Sequence, residues 1–311
     1  MIVLRPGCKI NLGLAVTGRQ ASGYHSLSTF FYPLQYPADW LGIVPGEPGQ
    51  IAIKCSAPEI DANDNLLRKA WLAFGNATGI WRGYRLYLEK RIPSGAGLGG
   101  GSSDAAALLE FLNREAGRPL EQAGLERLAF SLGADVPFFL RKSPCFAAGA
   151  GEKLVETAFA GERQWLVLVS PAIHAATARV FERWDELDAG PGEAVGEGNE
   201  TRQLSGFGPR AGASGSGTGL TKASSPARNT ISASGVDLAN DLESAVFSLW
   251  PELERLKEQL LAAGASKAGM SGSGASFFGF FDCREMATTA ARQLRKNWHR
   301  AYCAQLRDFG M

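Results

Sequence analysis

Between Ile92 and Ala107 the chain reads Ile-Pro-Ser-Gly-Ala-Gly-Leu-Gly-Gly-Gly-Ser-Ser-Asp-Ala-Ala-Ala, and five of the seven positions from Gly95 to Gly101 are glycine. Glycine at that density costs too much backbone entropy for a helix or strand interior. It offers instead positive φ and a bare backbone that a ligand can approach closely. The alanine-rich run Ala105 to Leu112 predicts a helix, with Ser102, Ser103 and Asp104 at its start to accept bonds from unpaired N–H groups. A glycine loop feeding a helix N-terminus presents converging N–H donors and the positive end of a dipole, which suits a polyphosphate. Pro93, Ser94, Gly95, Ala96, Gly97, Leu98, Gly99, Gly100, Gly101, Ser102 and Ser103 therefore predict a cradle for a nucleotide triphosphate.

Other glycine patterns fit less well. A P-loop closes on Lys-Ser or Lys-Thr, and no lysine follows these glycines. Gly95 to Gly100 satisfies G-x-G-x-x-G, with Glu115 about 20 residues on, as a dinucleotide fold asks. Glu115, however, follows a helix with no second buried strand before it, and Pro93-Ser94 breaks the strand-to-glycine turn. A turn without a ligand would not require so many glycines.

The elements that must hold this loop can be read in order. Lys9 to Val16 alternates, placing Ile10, Leu12 and Leu14 on one face and Lys9 and Asn11 on the other, as in a half-buried strand. Further strands are expected at the N-terminus, at 27–34, 41–44 and 51–55, and at 84–88 leading into the glycine loop. Asn63-Asp64-Asn65 caps a helix over 66–74. Another helix, 120–132, is broken by Gly133-Ala134-Asp135-Val136-Pro137, and a strand follows at 153–155. The pattern restarts near Gly161, which predicts a boundary between domains 1–160 and 161–311. Trp165 to Val169 is a continuous apolar run, expected of a strand buried on both faces. Helices are expected at 175–184, 240–249, 252–263 and 285–298, and strands at 276–281 and 302–306. Residues 189–236 are rich in Gly, Ser, Ala and Thr and too poor in large apolar side chains to form a core, so they predict a flexible surface insert. Strands and helices mix without a strict βαβ repeat, giving an α+β chain of two domains.

With 311 residues there is ample core for one or two domains, and a net charge of +1 argues against a nucleic-acid or charged-membrane partner. No apolar run approaches membrane-spanning length, and the N-terminus reads as a strand, not a signal peptide. Five scattered cysteines without C-x-x-C spacing predict reduced thiols and a cytoplasmic protein. Oligomeric state is not legible.

A second glycine turn, Gly269 to Ser276, reads Gly-Met-Ser-Gly-Ser-Gly-Ala-Ser. Two such turns either meet at a common anion, or one backs the other. The early Lys-x-Asn strand, the Pro-x-x-x-Gly-Leu-Gly-x-x-Ser-Ser loop and this late turn together resemble the GHMP small-molecule kinases. Lys9-Ile10-Asn11-Leu12, Gly23-Tyr24-His25-Ser26-Leu27, Leu132 to Phe139, Gly149-Ala150-Gly151-Glu152 and Asn240-Asp241-Leu242-Glu243 carry the likeness across about residues 8–282. Within the family they are most similar to the branch that phosphorylates the 2-hydroxyl of a cytidine diphosphate-linked methylerythritol, in non-mevalonate isoprenoid synthesis.

The resemblance implies an N-terminal domain like ribosomal protein S5 domain 2, a ferredoxin-like C-terminal domain and a cleft between them. It implies ATP as phosphoryl donor, with Mg2+ held mainly by the phosphates. It assigns Asp135 as the base that accepts the hydroxyl proton and Lys9 as its cationic partner, since a cation beside a carboxylate favours its ionised form and stabilises charge on the transferring group. Asn65 and Lys90 join the glycine loop as nucleotide-binding residues. On the substrate side, Tyr24 stacks on cytosine, Phe181 closes its other face and His25 hydrogen-bonds the base, while Asn11 and Thr177 approach the methylerythritol end. His174 and His299 match no site position. A GHMP kinase or ATP-dependent decarboxylase of homoserine or mevalonate type would keep the loop without needing Tyr24 and His25. A nucleotide-binding protein without catalysis would not need both Lys9 and Asp135.

Overall fold

A computed structural model describes residues 1–20, 23–58, 60–61, 65–161, 163–188 and 231–307. Strand β6 (Tyr84–Glu89) buries Tyr84, Leu86 and Leu88 and exposes the residues between, the period-2 pattern of a strand with one face in the core. It lies in a sheet ordered β1 (Ile2–Leu4), β4 (Trp40–Pro45), β6, β5 (Ile51–Cys55). The inner face shares a core with helices α1 (Leu66–Thr78), α2 (Gly100–Glu115) and α3 (Gln122–Leu132) through Leu67, Trp71, Phe74, Leu108, Leu109 and Leu125.

A second sheet, β2 (Cys8–Arg19), β3 (His25–Leu34), β7 (Cys145–Gly149) and β8 (Lys153–Glu156), is antiparallel throughout. A third runs β12 (Lys267–Met270), β13 (Phe277–Phe281), β10 (Trp165–Ser170), β14 (Arg300–Gln305). Helices α5 (Thr177–Asp188), α6 (Glu243–Leu249), α7 (Glu252–Ala262) and α8 (Arg284–Leu294) accompany the third sheet. Strand β10 is buried on both faces, as its apolar run predicts. Leu166 and Leu168 meet Ile10, Leu12, Phe30 and Tyr32 of the second sheet, whereas Val167 and Val169 join a core with α5 to α8. Its neighbours are both antiparallel.

Three expectations change. Helix α2 starts at Gly100, not near Ala105, so Ser102, Ser103 and Asp104 lie inside it and do not cap it. Ile10, Leu12 and Leu14 do not share a face. The β2–β3 register gains a residue between Asn11 and Leu14, where Gly13 has φ 78°, and this bulge reverses the alternation. Ile10 and Leu12 then enter one core and Leu14 and Val16 another. The insert was expected to run to 236. Residues 189–230 lie outside the described residues, but β11 (Ile231–Ser232) pairs with β9 (Phe159–Ala160), and Ala233 and Val236 are buried. Helix α4 (Val136–Arg141) was not expected, being too short for a helical period to register.

Candidate active site

The glycine loop turns back on itself before α2. Gly97 has φ 73° and Gly99 φ 69°, the left-handed region that favours glycine. A Cβ on Gly97 would stand 2.1 Å from the Ser271 carbonyl oxygen, and one on Gly99 would stand 2.9 Å from Phe139 and 3.2 Å from Lys9. The second glycine turn thus backs the first. Ser271 Oγ donates to the Gly97 carbonyl at 2.9 Å, and the Ser276 N–H donates to the Ala96 carbonyl at 3.3 Å. Gly99 is the N-cap of α2 and provides no side-chain cap, so the first-turn N–H groups rely on solvent or a ligand.

Lys9 lies under this loop, its N–H donating to the Leu98 carbonyl at 3.0 Å. Its ammonium donates to Asn11 Oδ1 at 2.6 Å, sits 3.6 Å from Asp135 Oδ2 and lies over the Phe31 ring at 4.9 Å. Asn11 is itself pinned, donating to Thr29 Oγ1 at 2.9 Å. Asp135 occupies the corner between α3 and α4, anchored by buried Val136 and Phe138, and its carboxylate caps neither helix. Lys9 is 5% exposed and Asp135 34%, so the cation is enclosed while the carboxylate faces the cleft.

Behind the loop, Lys90 Nζ joins two buried acids, Asp39 and Asp104 (2.9 Å to Asp104 Oδ2). Asp39 also accepts from the N–H groups of Arg91 at 2.5 Å and Ile92 at 2.8 Å, which orients the entry to the loop. Burial pushes the Asp104 carboxyl up to about 7; Lys90 opposes this and the charge of Asp39 adds to it. Among the described residues Asp104 Oδ1 is buried without a partner. Asn65 caps α1, accepting from the Leu67 N–H at 2.8 Å.

At the other end, Tyr24 is 71% exposed. Phe181 stacks on the His25 ring. Thr177 Oγ1 pairs with Ser273 Oγ at 3.0 Å, tying α5 to the second glycine turn. One cleft of about 1380 Å³ is lined by Lys9, Asn11, Tyr24, His25, Asn65, Lys90, every residue from Pro93 to Ser102, Asp135, Thr177 and Phe181. Ser103 is the exception, buried within α2 with its N–H on the Gly99 carbonyl at 2.9 Å.

The GHMP kinases N terminal domain profile matches residues 65–143, and the GHMP kinases C terminal profile matches residues 226–300. A 4-diphosphocytidyl-2-C-methyl-D-erythritol kinase of Solidesulfovibrio magneticus is 41% identical over 302 residues, covering 96% of this chain and 95% of the relative. The chain belongs to this family of GHMP kinases. Another family member, from Nitratidesulfovibrio vulgaris strain Hildenborough, is 39% identical over 97% of both chains. The crystal structure of a 4-(cytidine 5'-diphospho)-2C-methyl-D-erythritol kinase has a TM-score of 0.74 at 34% identity, covering 99% of this chain and 100% of that one. A homoserine kinase from Cytophaga hutchinsonii, with a TM-score of 0.59 at 17% identity over 97% and 95% of the chains, shares the fold. This GHMP kinase thus has the two-domain α+β fold, and kinase chemistry implies ATP as a substrate.

Sequence reasoning passed over several residues at this GHMP kinase site. Gly272, Ser273, Glu152 and Asp185 also line the cleft. Exposed His174 lies against the loop, its Nδ1 2.1 Å from where a Cβ on Gly95 would be. The Gly-Ser pattern of the second turn was a usable signal for Gly272 and Ser273. Asp185 had none, because its partner is 160 residues away.

Proposed function

We propose that this kinase transfers the γ-phosphoryl group of ATP to the 2-hydroxyl of 4-diphosphocytidyl-2-C-methyl-D-erythritol, within non-mevalonate isoprenoid synthesis. The observation that carries the reading is a single cleft bordered by the glycine loop, the Lys9–Asp135 pair and the Tyr24–His25 end. Main-chain N–H groups at the start of α2 hold the phosphates. Asp135 accepts the hydroxyl proton as the phosphoryl group moves, and Lys9, held by Asn11, stabilises charge on that group. Tyr24 supplies a stacking face for the base and His25 a hydrogen bond.

Mg2+ suits the oxygen-rich cleft, where Asp135, Ser102 and phosphate oxygens are hard ligands. Among the described residues no group of three or more His, Cys, Asp or Glu converges to hold an ion, so the phosphates provide most of its ligands. When bound it neutralises phosphate charge. We take residues 1–160 and 161–311 as the two domains. No described helix is long and apolar enough to cross a membrane, and all five cysteines are free; we place the enzyme in the cytoplasm, working on small molecules.

An ADP-release assay across candidate alcohols tests the reading. Turnover should be highest with the cytidyl-linked methylerythritol. Preference for homoserine or a mevalonate compound would replace the substrate, and ADP release with none of them would remove it.

A further inference from the structure

The ring of His25 is held by helix α5. Phe181 stacks on it with centroids 4.6 Å apart and planes at 15°, and Trp184 meets it edge-on at 5.6 Å. One turn beyond Phe181, Asp185 places Oδ1 2.7 Å from His25 Nε2. Residues four apart on a helix share a face, so α5 delivers the stacking ring and the carboxylate together. Arg19 Nη1 lies 3.7 Å from Asp185 Oδ2, partnering the second oxygen. An ionised carboxylate only accepts hydrogen bonds, so the short contact puts a proton on Nε2. In the neutral ring that leaves a lone pair on Nδ1. His25 borders the cleft beside Tyr24, and Nδ1 has no partner among the described residues.

We infer that Asp185 is a positioning residue that makes His25 a hydrogen-bond acceptor and thereby sets a preference for cytosine over uracil. The inference rests on the cytidyl reading above. Cytosine carries an amino donor at C4, where uracil in the same seating presents a carbonyl acceptor. A lone pair held at Nδ1 pairs with the first and repels the second. Phe181 and Trp184 add the mechanical half, because a ring packed on one face and one edge cannot readily turn over and exchange its two nitrogens.

The test uses the full chain with CDP, UDP and ATP as calorimetric probes. Wild-type protein should bind CDP more tightly than UDP. In Asp185→Asn the amide can turn its NH₂ toward Nε2 and admit the other tautomer, so CDP affinity should fall about tenfold. The CDP-to-UDP ratio should shrink by a similar factor, with ATP affinity retained as the check on folding. Nitrogen-15 NMR of the wild-type protein gives a readout that needs no variant: His25 should be protonated on Nε2 and bare on Nδ1. A proton on Nδ1 alone, or an unchanged ratio in folded Asp185→Asn, would overturn the inference and leave the cytidyl reading standing. Wild-type protein that binds CDP no more tightly than UDP would overturn that reading, and this inference with it.

Discussion

Lys9 and Asp135 differ in what surrounds them, and that difference fits the separate roles proposed for them. The lysine is enclosed by Asn11 and the Phe31 ring, while the carboxylate is open to the cleft. Asp135→Asn keeps the shape and removes the proposed proton acceptor, so turnover should fall about 10²–10⁴-fold while calorimetry still detects ATP binding. Turnover at the wild-type rate, with chemistry limiting, would dismiss Asp135 as the base. Lys9→Ala should also slow turnover, and the double variant should lose less than the product of the singles, since both residues act on one event. Tyr24 stands apart from this pair as an exposed ring. Stacking contributes about 1–3 kcal/mol per base, so Tyr24→Ala should raise KM for the cytidyl substrate and leave ATP affinity intact. Weakened ATP binding would instead place Tyr24 in the nucleotide site.

Between elements, the decisive contact is turn against turn. Gly97→Ala would drive a methyl into the Ser271 carbonyl, and backbone cannot rotate aside as a side chain can. The loop must then shift, and displacement of roughly an ångström can cost about 10²-fold in kcat/KM. Steady-state kinetics with varied ATP measures this, and a wild-type value would show that the second turn does not set the position of the first. The α2 network makes a different prediction. Asp104 titrates near 7 because burial resists its charge, whereas an unfolded aspartate releases its proton near pH 4. Between those values the folded state holds the extra proton, so stability falls as pH rises from about 4 to 7 and this contribution changes no further above that. For Lys90, burial acts against the charge but Asp104 and Asp39 outweigh it and raise its pKa, so it stays charged throughout that window. Asp104→Asn should flatten the decline in Tm between pH 5 and 7.5, and an unaltered slope would assign the decline to other groups.

For the molecule as a whole, the shared core of the second and third sheets joins the two halves, with Ile10, Leu12 and Phe30 meeting Leu166, Phe278 and Phe280. Residues 231–236 contribute to that core through Ile231, Ala233 and Val236. Replacing 189–230 with a short flexible linker should therefore leave Tm and turnover nearly unchanged, as its core-poor composition suggests. Extending the replacement to 236 should lower Tm by a few degrees, each lost kcal/mol being worth about 1–2 °C at this size. Equal melting temperatures for the two deletions would show that the β9–β11 pairing and the burial of Val236 contribute little.

The glycine loop, the alternating β6 and the doubly buried β10 were legible in the chain because each signal is local: glycine density, period-2 burial and a continuous apolar run. The α+β class and the Lys-x-Asn strand were legible for the same reason. Where Leu14 points was not, because the bulge at Gly13 reverses the alternation and is seen only in the pairing with β3. Tertiary structure alone moved Ser103 out of the cleft, by starting α2 within the glycines. It also joined Lys90 to Asp39 and Asp104, seated Ser271 on Gly97 and brought Asp185 to His25. These contacts link residues from 14 to 174 positions apart. A hydrogen bond between distant residues imposes no period on either segment, so only the fold reveals which donor meets which acceptor.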